Sequence, residues 1–115
     1  MSSAPQLPDD LRQALEEAVR VIVETARPEL VILFGSWAEG KAREDSDVDL
    51  LVVADTDDRL ELSAQLREAL RPILGERGLD LLLRTPEHWR ESRRIIGFVS
   101  HEADRYGVRL YERAA

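Results

Sequence analysis

The sequence predicts an α/β domain, a small mixed β-sheet with flanking helices, and three observations carry that expectation. Three apolar runs of strand length, Leu30 to Phe34, Val48 to Ala54 and Leu79 to Leu83, are each bounded by turn residues. Longer segments around them place apolar residues at helical spacing, so helix and strand signals alternate along the chain. A length of 115 residues suits one domain with a single modest core.

Residues 1 to 8, with two prolines among small and polar residues, read as a flexible tail, and the single domain is expected over 9 to 115. Asp9 and Asp10 put negative charge where a helix N-terminus favours it. Leu11, Leu15, Ala18, Val19, Ile22, Val23 and Ala26 then recur at helical spacing until Pro28 stops the run. Leu30 to Phe34 has no polar interruption, which predicts a strand buried on both faces near the centre of its sheet. Ser36 to Glu39 is expected to make a short helical turn ending at Gly40, with Trp37 as a packing residue.

Val48 to Ala54 is the second buried strand, and Asp55-Thr56-Asp57-Asp58 makes a polar loop and cap. A helix follows from about Arg59 to Leu74 on Leu62, Leu66, Ala69, Leu70 and Ile73, and Pro72 is expected to distort it or end it early. Gly75 and Gly78 bracket the next turn, and Leu79 to Leu83 forms a third strand that carries one buried-looking charge, Asp80. Thr85-Pro86-Glu87 starts a helical stretch reaching about Tyr106 with a break near Gly97, and Gly107 to Tyr111 ends it in a short final strand. His88 and His101 stand alone without ligand spacing and read as surface or capping residues.

Core-building does not explain the stretch from Gly35 to Val53. The first strand ends abruptly in Gly35-Ser36, and the second opens on Asp47-Val48-Asp49. Strand side chains alternate faces, so Asp47 and Asp49 point the same way. Adjacent carboxylates repel unless a cation sits between them. Hard oxygen ligands without cysteine or a nearby histidine favour magnesium, manganese or calcium over zinc. Magnesium keeps waters and takes one or two carboxylates together with phosphate oxygens, and Gly35-Ser36 lies close by to supply phosphate contacts through its hydroxyl and the first free amides of the turn. The pattern reads as metal plus triphosphate. Lys41, the only lysine against fifteen arginines, is a candidate phosphate contact. An unpaired carboxylate in an apolar strand is expensive, so Asp80 either meets an arginine or joins the metal site.

Gly35-Ser36 followed by Asp47-Val48-Asp49 resembles the signature of the DNA polymerase beta-type nucleotidyltransferase superfamily, over about residues 10 to 111. The small size resembles its minimal branch, the MNT antitoxins. The resemblance implies the polymerase beta-type fold, with Asp47, Asp49 and Asp80 as catalytic carboxylates holding two magnesium ions. It implies ATP as substrate, with Gly35 and Ser36 at the β and γ phosphates. It further implies a partner, a HEPN-domain toxin silenced by transfer of AMP to a tyrosine. Two positions depart from the pattern: Glu39 and Glu44 stand where relatives often carry arginine and proline, and an acid at 39 weakens a positive phosphate cradle. Two rival readings remain. One is transfer to a small molecule of the aminoglycoside type, disfavoured because 115 residues leave no acceptor-binding domain; the other is a binding module that neutralises its partner without chemistry.

Charge and composition set limits. Charged residues make up 34% and hydrophobic ones 43%, which is globular, and the net charge of −7 opposes direct nucleic-acid binding. Residues 1 to 83 hold 9 basic and 18 acidic groups, whereas residues 84 to 115 hold 7 and 5, so the mild basic excess is C-terminal. No apolar run reaches the 18 or so residues of a membrane helix, and the N-terminus lacks the features of a secretory signal. Zero cysteine removes disulfides and thiolate sites. A cytoplasmic location is the expectation.

Overall fold

A computed structural model describes residues 6–114. Most of the expected tail, residues 1–5, lies outside the described residues, and Leu7 packs against the core just ahead of the first helix. In chain order the elements are α1 (Asp9–Ala26), β1 (Leu30–Phe34), α2 (Ser36–Glu39), β2 (Val48–Val53), α3 (Arg59–Leu74), β3 (Leu79–Arg84), α4 (Pro86–Ser92), α5 (Val99–Tyr106) and β4 (Val108–Glu112). The sheet runs β3-β2-β1-β4, with β1 antiparallel to both neighbours and β2 parallel to β3. The sheet is mixed, as expected. The uninterrupted strand β1 takes a central place with its first four residues buried.

Period 2 divides the strands between two helical layers. Val31, Leu33, Val48, Leu50, Val52, Leu81 and Leu83 face α1 and α3, which bury Leu11, Leu15, Ala18, Ile22, Leu62, Leu66, Leu70 and Leu74 against them. Leu30, Ile32, Leu51 and Val53 face the other way, where Trp89 of α4 and Ala103 of α5 cover them. α1 ends on Arg27 in the left-handed conformation (φ 47°), its amide donating to the Val23 carbonyl, one residue ahead of Pro28. Asp58 caps α3 by accepting from the Glu61 amide at 3.0 Å, and Thr85 caps α4 by accepting from the His88 amide at 3.3 Å.

One expectation needs correcting. Pro72 does not end α3 early: the helix runs on to Leu74, because buried Leu70 and Leu74 hold its last turn on the sheet and the Gly75 amide closes on the Arg71 carbonyl. The expected break near Gly97 is present: the stretch to Tyr106 is two helices joined by turns over 93–98, where Gly97 takes φ 98°.

Candidate active site

β1 and β2 are antiparallel neighbours, so the exit of β1 lies beside the entrance of β2. Phe34 is the register partner of Asp49, and Asp49 is in turn the partner of Asp80 on β3. Register partners share a sheet face, so Asp49 and Asp80 lie on the α4/α5 side with Phe34 and Leu82, and Asp47, two residues earlier, precedes them. The paired aspartates of the sequence motif thus gain a third carboxylate from the next strand.

Two glycines make room for them. At Gly35 (φ 76°, ψ −154°) an added Cβ would collide with Asp49 Oδ2, and at Gly78 it would collide with Asp47 Oδ1. Asp49 therefore rests on the exit of β1 and Asp47 on the turn before β3. Trp37, buried in α2, donates its indole N–H to the Ser46 carbonyl at 3.0 Å, and Ser46 and Arg43 close a small turn on each other at 2.8 and 3.0 Å. This ties the loop leading into Asp47 to the element that follows Gly35. Trp37 is a packing residue, as its sequence setting suggests, and its effect is to position Asp47. Neither Gly78 nor this role of Trp37 is visible in the sequence, where both read as ordinary turn and core residues.

Asp80 departs from expectation. It is exposed, and among the described residues no arginine pairs with it. β3 is an edge strand, and an edge position open to water carries a charge at little cost. Solvent therefore accounts for the charge at Asp80, and its register beside Asp49 keeps it next to the other two carboxylates. Asp49 is half-buried, and its carboxyl is pushed up to about 6, first by burial and then by the charges of Asp80 and Asp47. Lys41 is exposed and sits 3.7 Å from Glu39 Oε1, so the one lysine is shared with the acid that departs from the family pattern.

The donor set suits a hard divalent cation. Its oxygens are all carboxylate, and the electrostatic cost at Asp49 is one that a cation offsets. Among the described residues no three acidic or histidine side chains come together as a ready-made cage, so an ion such as magnesium would have to complete its shell with water and substrate phosphate.

The raised Asp49 carboxyl predicts a pH signature for metal-free protein. The folded chain holds this proton more tightly than the unfolded chain, whose aspartates titrate near ~3.9. The resulting stability is fully present below about pH 4 and is lost as pH rises through about 6. In chelator, the melting temperature of wild type minus that of Asp49→Asn should therefore fall between pH 4 and 7. A difference that stays flat would contradict the raised carboxyl of Asp49.

A cleft of about 260 Å³ adjoins this group, lined by Phe34, Gly35, Glu39, Gly97, Val99 and Glu102. A larger cleft of about 410 Å³ lies at the opposite end of β1 and β2, beside Leu30, Val53 and Trp89, away from the carboxylates.

A family model described as "Polymerase beta, Nucleotidyltransferase" matches residues 16–97. No curated protein matches the sequence. Among solved structures, a minimal nucleotidyltransferase is 30% identical with a TM-score of 0.64, over 85% of this chain and 90% of that one. A nucleotidyltransferase from Sulfolobus solfataricus is 20% identical (TM-score 0.55, 90% and 84% covered). A mutant of the toxin-antitoxin pair MntA-HpeT, with two aspartates two positions apart changed to glutamate, is also 20% identical (TM-score 0.52, 92% and 75% covered). The last two share the fold.

Proposed function

Because this chain belongs to the polymerase beta nucleotidyltransferase family, we propose that it transfers AMP from ATP to a tyrosine hydroxyl on a partner protein and is the antitoxin of a toxin-antitoxin pair. The single observation that carries the reading is the carboxylate group itself, Asp47 and Asp49 at the entrance of β2 with Asp80 in register on β3, beside a glycine exit with no room for a side chain. The partner half of the reading is supported by the fold shared with a toxin-antitoxin protein. A HEPN-type toxin is the partner that the motif resemblance implies.

In this reaction Asp47, Asp49 and Asp80 would hold magnesium, which when bound neutralises triphosphate charge and polarises the reacting phosphate. Gly35 and Ser36 meet the β and γ phosphates, with Lys41 as a further contact. The acceptor oxygen forms its bond to the α phosphorus as the bond to the β-phosphate bridging oxygen breaks. Pyrophosphate leaves. The acceptor's proton passes to an Asp80 carboxylate oxygen, directly or through water, and its exposure leaves it open to an incoming hydroxyl.

The test is to incubate the protein with ATP, magnesium and the product of the neighbouring gene and to weigh both proteins. The partner should gain about 329 Da per event, the mass of one AMP group added by this phosphoryl-transfer chemistry. Asp80→Asn should lower the rate far more than it weakens ATP binding, with no drop in melting temperature, since no ion pair is broken among the described residues. A partner neutralised with no mass change, and equally by Asp80→Asn, would make this protein a stoichiometric binding module.

A further inference from the structure

The connection between α4 and α5 exposes side chains that a solvated turn would not choose. Residues 94–99 read Arg-Ile-Ile-Gly-Phe-Val, and all six are exposed: Ile96 at 83%, Phe98 at 48%, Ile95 at 45% and Val99 at 42%. Turns favour Gly, Pro, Asn, Asp and Ser for conformational reasons, and nothing in turn chemistry calls for Ile95, Ile96 and Phe98 there, with Val99 exposed beside them at the start of α5. A contiguous exposed apolar patch marks a surface that meets something.

Its position narrows what that is. Gly97 and Val99 form one wall of the cleft of about 260 Å³ whose other wall is Phe34, Gly35 and Glu39, and Gly35 packs on Asp49. The ridge therefore borders the carboxylate group. The cleft is acidic: Glu102 has no ion-pair partner among the described residues, and Glu39 has only the exposed Lys41. Asp49 and Asp80, on the same sheet face, add negative charge nearby. That sign disfavours a second anion in the cleft, whereas a cationic segment gains from it.

We infer that Ile95, Ile96, Phe98 and Val99, together with Glu39 and Glu102, dock the acceptor segment of the partner protein, and that this segment carries apolar side chains and flanks its acceptor hydroxyl with arginine or lysine. The inference rests on the reading above that the acceptor is a protein hydroxyl. It adds which surface receives the acceptor and what sequence chemistry the surface selects. Basic flanks also bring positive charge to a triphosphate at the moment the hydroxyl approaches it, in a site whose own lysine is paired with Glu39.

Two synthetic peptides test it. One carries a single tyrosine between isoleucine, leucine and arginine residues, and the other has every arginine replaced by glutamate. Binding is read by fluorescence anisotropy without ATP. The basic peptide should bind at least about tenfold tighter. Ile96→Ser with Phe98→Ser should weaken it by about tenfold, and Glu102→Arg should bring the two peptides level or invert their order. All three positions are exposed, and an unchanged melting temperature confirms that the variants fold. Equal binding of the two peptides, or binding that the substitutions leave unmoved, overturns the proposal. So does a wild-type dimer that the same substitutions dissociate, which would give the ridge to a second copy of this chain. Weighing the basic peptide after incubation with ATP and magnesium separates the two readings: ridge-dependent binding without added AMP counts against transfer and leaves the docking surface standing.

Discussion

Asp47→Asn and Asp49→Asn are each expected to lower AMP transfer by about three orders of magnitude or more, while the metal-free protein melts no lower than wild type. The two halves follow from one arrangement. Among the described residues neither side chain accepts a hydrogen bond or pairs with a base, so asparagine breaks no contact. It removes a like charge from a group in which Asp49 is already pushed up to about 6 by burial, Asp80 and Asp47. The same change takes away a hard anionic ligand, and the neutral amide left behind is a poor substitute. Calorimetric titration of magnesium and ATP gives the direct check. Equal metal-dependent ATP affinity in mutant and wild type would remove these residues from the metal site.

Gly35→Ala is the second large effect, and it strikes stability and activity together. With φ 76° and ψ −154°, Gly35 occupies backbone space essentially closed to other residues, at a cost of about 1–3 kcal/mol. Its Cβ would also drive into Asp49 Oδ2, displacing that carboxylate from the strand exit. Gly40→Ala supplies the contrast. Gly40 is left-handed too (φ 74°), but its Cβ meets nothing within 4 Å, so alanine there should cost about 1 kcal/mol and leave transfer intact. Chemical denaturation and transfer rates on both variants decide it. Transfer at the wild-type rate in Gly35→Ala would show that close packing of Gly35 on Asp49 is dispensable.

Much of this was readable from local chemistry. The unbroken run Leu30 to Phe34 marks a central strand because only a strand covered on both faces tolerates five apolar residues in a row, and β1 is such a strand. Asp47-Val48-Asp49 marks the candidate site because two carboxylates on one strand face have no packing purpose. The turn from Ser36 to Glu39 and its end at Gly40 were likewise legible. What escaped was set by the third dimension. Whether Leu79 to Leu83 is central or an edge is not written in its side chains, so Asp80 looks buried in sequence and is exposed in the fold. Gly78 serves Asp47 only because β3 lies parallel beside β2. Pro72 fails to end α3 because burial of Leu74 outweighs a local rule. Lys41 meets Glu39, a pairing that spacing alone does not reveal.

The sheet's two faces carry unequal shares of the core. Among the described residues, the apolar cluster on the α1/α3 side holds eighteen buried hydrophobic side chains and that on the α4/α5 side six, and the carboxylates and the apolar ridge of residues 94–99 lie with the six. Mutation and selection therefore meet two different surfaces in one small protein. The exposed positions 94–99 and Glu102 add nothing to that smaller cluster, so substitutions there should cost little stability. The α1/α3 side is held in place by packing. The exposed rim and the packed core can therefore be altered separately: substitutions at 94–99 should leave the melting temperature unmoved, while those facing α1 and α3 lower it.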